Sequence, residues 1–186
     1  MNEVIKTMKR RRMTRNYKLD QITDDAIMAI IDAGQHAPSV QKQQAWHFTV
    51  IQNKTLMDKM NKEAKILGQQ SPVDVIRKLN SQEDYHIFYQ APTVILISAD
   101  STGFMPEKEC IAAGQNMFLA AESLGLGACW ISAVGGLFSS EDAQMYRDQL
   151  GLAEDLLPQM AIALGYIESR PDHAYPRKTD RTNFVR

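Results

Sequence analysis

Apolar residues recur along this chain with two different periods, and the changes from one to the other mark out the elements. Val4, Ile5 and Met8 fall at i, i+1 and i+4 within 4–10, which predicts a short helix with one apolar side. Thr23 ahead of Asp24 and Asp25 has the composition of a helix start. Ile27, Ile30, Ile31 and Gly34 then give that helix a buried face ending near Ala37 and Pro38. WHFTVIQ, 46–52, predicts a strand, and Asn53 stands where a cap belongs, ahead of Leu56, Met57 and Met60 at helical spacing.

The stretch 68–84 is polar and irregular, with Gly68 and Pro72, and reads as a mobile cover with room for a second short helix before YHIFYQAP. TVILISAD, following Pro92, is a β-branched run suited to a buried strand. Pro106 and Glu107 open a long helix that carries Cys110, Ile111, Met117, Phe118, Ala121 and Leu124 and stops at Gly125-Leu126-Gly127. ACWISAV, 128–134, predicts a strand. Ser139 or Ser140 with Glu141 and Asp142 starts another helix, and QMAIALGY, 159–166, is the last strand. From Glu168 the chain has Pro171, Pro176 and no periodicity; a tail of this length needs a surface to dock on, for which a second subunit is the natural candidate.

Composition narrows this to one domain over 1–186, since 186 residues with 44% hydrophobic side chains fill one sizeable core. No run approaches the ~18 apolar residues of a membrane span, and no apolar segment follows the basic N-terminus as in a secretory signal; the expected location is the cytoplasm. Cys110 and Cys129 lack metal-ligand spacing and are expected to be reduced core thiols, without disulfide or zinc. Charge changes the picture more. Residues 1–18 hold seven Lys/Arg against Glu3 alone, and residues 168–186 hold five against three acids, although the whole chain has a net charge of −1. The body between two basic ends is therefore acidic.

Several chemistries are absent from the sequence. There is no GxGxxG or GxxxxGK[ST] loop, no HExxH, no paired Cys/His spacing and no GxSxG elbow. KRRRMTRNY, 9–17, has three readings: a solvated helix end, a nucleic-acid arm, or one side of a phosphate site. The nucleic-acid reading is the weakest, because the run is single, no aromatic series accompanies it and the chain is slightly acidic. Phosphate suits Arg11, Arg12 and Arg15 better, since each offers forked donors. HAPSVQKQQAWHF, 36–48, links a helix to a strand through many hydrogen-bonding groups, which suits either a plain surface loop or recognition of a flat heterocycle.

Five segments in chain order carry a resemblance: RRMTRNY (11–17), Ala37-Pro38-Ser39 with Gln44 and Trp46, YQAP ahead of a strand, GQNMFLAAESLGLGACWIS (114–132), and LGY followed by Pro176-Arg177-Lys178. Together they resemble the nitroreductase family of FMN-dependent oxidoreductases over nearly the whole chain. The resemblance implies an α+β fold, a central mixed or antiparallel sheet flanked by helices, in an interlocked homodimer with FMN at the subunit interface. It implies that Arg11, Arg12, Met13 and Arg15, with Arg177 and Lys178, surround the flavin phosphate and ribityl chain. Pro38, Ser39 and Lys42 would lie in the part of the partner chain that faces the ring, Gln44 would also belong to the cofactor site, and Ile131 and Ser132 would lie near the ring's reactive edge. NADH or NADPH would give hydride to FMN in a ping-pong cycle with a nitroaromatic, quinone or similar small acceptor. The flavin supplies that chemistry, so no catalytic side chain is assigned. The alternative is a flavin-binding protein that stores or senses FMN without reductase activity. Three positions depart from the family pattern: Met13 where Ser is common, Lys42 where Asn is common, and Ala45 where Pro is common. Thr14 is the candidate to replace the lost hydroxyl, and Lys42 would stabilise reduced, anionic flavin by its charge.

Overall fold

In the computed structural model, which describes residues 1–186, the elements are α1 (Glu3–Arg10), β1 (Asn16–Tyr17), α2 (Asp24–Gln35), β2 (Trp46–Ile51), α3 (Lys54–Gln69), α4 (Asp74–Asn80), β3 (Thr93–Asp100), α5 (Pro106–Ser123), β4 (Leu126–Ile131), α6 (Ala143–Leu150) and β5 (Leu156–Ser169). Short 3-10 turns lie at Val40–Lys42 and Ala133–Ser139. β5 is the hub of the sheet. Its residues pair with β3 from Thr93↔Leu164 to Asp100↔Leu156, with β4 from Leu126↔Tyr166 to Ile131↔Ala161, and with β1 at Asn16↔Ser169. β2 pairs with β3, and all four pairings are antiparallel. Residues 161–164 of β5 thus have a strand on either side, which explains why Met160 to Leu164 are buried without a break.

Strand alternation divides the core into two layers. Val94, Leu96, Ala161 and Ala163 pack with Met57, Met60, Ala64 and Leu137 on one face. Ile95, Ile97, Ala99, Met160 and Ile162 pack with Ile27, Ile30, Met117 and Phe118 of α2 and α5 on the other. The caps read from the sequence are present: Thr23 Oγ1 accepts from the Ala26 N–H at 3.3 Å, and Asn53 Oδ1 from the Leu56 N–H at 3.0 Å. Both cysteines are free and buried. No helix is long and apolar enough to cross a membrane.

Several boundaries differ from expectation for local reasons. Gly68 lies inside α3, not at a break: a Cβ there would stand 2.3 Å from Asn80 Cγ, so glycine lets α4 close against α3. β4 starts at Leu126 and stops at Ile131, because Val134 is taken into the 3-10 turn that buries it with Leu137. Ser140 Oγ donates to the Leu137 carbonyl at 2.9 Å and closes that turn, so α6 begins only at Ala143. Ile111 of α5 and Leu124, which follows its last residue, are exposed, and Ile31 is half-buried. β1 has two residues, too few for any periodicity to reveal. Beyond Ser169 the chain runs without helix or strand, largely exposed.

Candidate functional site

The segment after α1 is laid across the sheet by backbone and tyrosine bonds. The Thr14 N–H donates to the Ala128 carbonyl at 3.0 Å, and Met13 forms an isolated parallel bridge with Ala128. Tyr17 is buried, and its hydroxyl donates to the Thr14 carbonyl at 2.6 Å, with the Ala163 carbonyl at 3.2 Å. Burial pushes that phenol's pKa far up, so it stays protonated and remains a donor. Met13 is half-buried and packs against both core layers. Thr14 is fully buried beneath Gly127, and its Oγ1 has no hydrogen-bond partner. The expectation that Thr14 replaces a lost hydroxyl is therefore corrected: its side chain points into the protein, because the Ala128 bond and the missing Cβ at Gly127 draw it there.

What this segment exposes is charge. Arg11, Arg12, Met13 and Arg15 line a cleft of about 300 Å³ whose other wall is the tail, through Pro171, His173, Ala174, Tyr175 and Arg177. No carboxylate lines it. The Arg11 guanidinium lies 5.6 Å over the Phe118 ring, and Arg15 lies 5.6 Å over Tyr89, so two aromatic faces hold the cations in place. Arg12 turns its Nη1 back to the carbonyls of Lys9, Arg10 and Arg11, at 2.7, 3.0 and 2.8 Å, and so closes the C-terminal end of α1. Arg11 Nη1 and Arg12 Nε are buried without partners. Buried donors of this kind call for an acceptor. Lys178 lies exposed and does not line the cleft.

Glu122 joins the two basic ends. It is only 4% exposed, and it accepts from Arg10 Nε at 2.7 Å and from Arg170 Nη1 at 2.6 Å. The first arginine of the basic run thus belongs to an ion pair that fastens the tail, and the arginines after it are left to the cleft. The sequence signal for this was an acid on the otherwise apolar, small-residue part of α5, at Ala120-Ala121-Glu122.

A second group of expected residues surrounds another buried acid. Glu109, in the first turn of α5, is 3% exposed. Its Oε1 accepts from the Val40 N–H at 2.7 Å, and its Oε2 accepts from Ser39 Oγ at 3.0 Å and the Ala45 N–H at 2.9 Å. Ser39 Oγ in turn accepts from the Gln44 N–H at 2.7 Å. Within this loop Gln41, Lys42 and Gln44 have φ of 52°, 61° and 52°, and all three side chains are exposed, as is Pro38. Gln44 faces an open cleft with Gln35, Trp46 and His47. No residue of this loop lines the arginine cleft, so one chain carries the two groups on separate surfaces. Ile131 is buried at the end of β4, and Ser132 is exposed immediately after it.

Comparison with known proteins agrees with this architecture. The chain is 30% identical over 178 residues to a protein of Archaeoglobus fulgidus provisionally named NADH dehydrogenase/NAD(P)H nitroreductase, covering 92% of this chain and 90% of that one. It is 31% identical over 184 residues to the FMN reductase [NAD(P)H] of Bacillus subtilis, covering 91% and 68% of the two chains. A crystal structure of a nitroreductase with bound FMN from Bacteroides fragilis superposes with a TM-score of 0.90 at 33% identity, over 100% of both chains. The Nitroreductase family model matches residues 8–166, which takes in the basic segment, the Glu109 loop and the whole sheet core and leaves the tail outside. The chain has the nitroreductase fold and belongs to the nitroreductase family.

Proposed function

We propose that this chain is an FMN-dependent oxidoreductase that takes hydride from NADH or NADPH and reduces a small electron-poor acceptor such as a nitroaromatic or a quinone. The observation that carries the reading is the cleft lined by Arg11, Arg12, Arg15 and Arg177 with no carboxylate, together with Arg11 Nη1 and Arg12 Nε, which have no hydrogen-bond partner. A phosphate monoester fits that lining: it brings two negative charges and several acceptor oxygens to arginines that face no carboxylate. Arg11, Arg12, Arg15 and Arg177 would hold the FMN phosphate, with the Glu122 clamp keeping the tail within reach. Bound FMN would supply the redox chemistry, with donor and acceptor using the same cavity in turn.

The proposal includes a homodimer. Pro38, Ser39, Lys42 and Gln44 do not reach the arginine cleft of their own chain, so a second copy would bring them to the flavin ring. Exposed Val4, Ile5 and Met8 on α1, with Ile111 on α5 and Phe184 and Val185 in the tail, supply apolar surface for contact between copies. The visible spectrum of the purified protein, before and after anaerobic NADH or NADPH, tests donor and cofactor together. Yellow protein that bleaches is the expected result. Colourless protein that added FMN does not reconstitute would refute the reading, and bound flavin that neither donor reduces would favour the storage or sensing alternative.

A further inference from the structure

The loop from Ser39 to Ala45 is closed around one carboxylate. Both of its ends bond Glu109, through the Val40 N–H at 2.7 Å and the Ala45 N–H at 2.9 Å, while Ser39 Oγ bridges Glu109 at 3.0 Å to the Gln44 N–H at 2.7 Å. Inside that ring of bonds three non-glycine residues, Gln41, Lys42 and Gln44, stand in the left-handed region. Such residues disfavour that conformation and hold it only when their surroundings over-determine it. The loop has few other restraints: of its internal backbone bonds, Lys42 N reaches the Ser39 carbonyl only at 3.5 Å and Gln43 N the Val40 carbonyl at 3.2 Å, while the Ala45 carbonyl accepts from the Asp100 N–H at 2.7 Å. The Gln43 side-chain oxygen accepts from the Phe104 N–H at 2.8 Å and ties the loop's middle to the segment before α5. Every group that Glu109 bonds is a neutral donor, and no cation is paired with it. Three N–H and O–H dipoles converging on a buried charge are strong, directional restraints.

We infer that Glu109 is the positioning residue of this loop: its carboxylate holds the left-handed turn that sets Lys42 against the flavin ring of the partner copy. The role assigned to Lys42 rests on the proposed function; the bracing of the loop does not. Glu109 acts through Lys42 and itself touches neither cofactor nor substrate. The Ala45 N–H is one of the three donors to Glu109, a bond that a proline at this position could not make.

The test is a double-mutant cycle on the full chain reconstituted with FMN, combining Glu109→Gln with Lys42→Gln. An amide keeps the shape but turns a donor toward at least one of the loop's donors, so the loop is released. Trypsin cleavage after Lys42 is measured first, without flavin, and is expected to speed up tenfold or more in Glu109→Gln at unchanged far-UV circular dichroism. FMN affinity, read by quenching of flavin fluorescence, is expected to fall about tenfold. Lys42→Gln is expected to lower the flavin midpoint potential in the Glu109 background and to have no further effect beside Glu109→Gln. Equal effects of Lys42→Gln in both backgrounds would overturn the inference, as would unchanged cleavage. If Glu109→Gln does not fold, Ser39→Ala removes one of the three donors and should move the cleavage rate and the potential in the same direction by less; no movement overturns the inference equally. A parent protein that binds no FMN would sink the proposed function while the cleavage rates still decide whether Glu109 braces the loop.

Discussion

Gly127→Ala tests whether the basic segment is positioned by the strand beneath it. A Cβ at this position would meet Thr14 Cγ2 at 2.6 Å, Cβ at 2.8 Å and Oγ1 at 2.9 Å, all well inside ordinary van der Waals contact. Thr14 has no room to retreat: it is fully buried, and its N–H is tied to the Ala128 carbonyl, one residue from the substitution. The added methyl must therefore push residues 13–15 away from β4 or displace β4 from β5. Overpacking of this kind costs about 1–3 kcal/mol. At about 2–4 °C per kcal/mol for a chain of this size, the melting temperature should fall by roughly 2–12 °C. Gly135→Ala is the matched control, since a Cβ there meets nothing within 4 Å, and alanine is expected to be neutral or to stabilise by about 0.4–1 kcal/mol. Thr14→Ala combined with Gly127→Ala removes two of the three close atoms and should recover part of the loss, which makes the pair non-additive. Thermal melts of the parent, of Gly127→Ala, Gly135→Ala and Thr14→Ala, and of the Thr14→Ala/Gly127→Ala pair settle the matter. If Gly127→Ala melts with the parent, or if Thr14→Ala brings no recovery, the contact is not what positions the segment.

Two further predictions concern charge. Glu122→Gln should cost about 1–3 kcal/mol in urea unfolding, because charge-assisted bonds to Arg10 and Arg170 are lost; the figure stays low because Arg10 is 57% exposed and can rehydrate. The same variant should release the tail, so that trypsin cleaves after Arg177 faster than in the parent, and unchanged cleavage would show that Glu122 does not fasten it. Burial lowers the pKa of His86 from its ordinary value of 6.5, outweighing the pull of Asp58 at 3.5 Å, and the Phe88 N–H donates to its Nδ1 at 3.1 Å, a bond that only the unprotonated nitrogen accepts. Below 6.5 the unfolded chain therefore takes up the proton more readily than the folded one, and stability should fall as pH drops from about 7.5 to about 5.5. His86→Gln should flatten that slope in urea titrations, and an identical slope would refute the assignment.

The parts of this protein that were legible in its sequence are those where local pattern and tertiary environment agree. Thr23 and Asn53 cap helices because a side-chain oxygen next to a free N–H needs nothing from the rest of the chain. β3 is read directly, since a strand flanked by strands and covered on both faces carries an unbroken apolar run, here Val94 to Ile97. β4 and β5 were misjudged at their ends, where Val134 continues the apolar run into a different conformation and where Ser169 pairs with a two-residue strand more than 150 positions away. The site divides along the same line. Arginine clustering near both termini was visible as composition, but which arginines form the ion pair and where the 39–45 loop is tied depended on two glutamates of one helix. Glu109 and Glu122 lie thirteen residues apart on α5, both nearly devoid of solvent, and each binds segments distant in sequence: one organises the 39–45 loop, the other joins Arg10 to Arg170. Along the chain they are two acids among many, and only helical register sets them apart: Glu109 heads the row of Ala113, Met117 and Ala121, and Glu122 ends the row of Cys110, Gly114 and Phe118. An acid in the apolar stripe of a helix is expensive to bury unless its partners are supplied, so such a residue predicts that donors from elsewhere converge on it. Applied to α5 alone, that rule would have pointed to both braces of the site before any coordinate was known, and it would have left open only which loop and which arginines they hold.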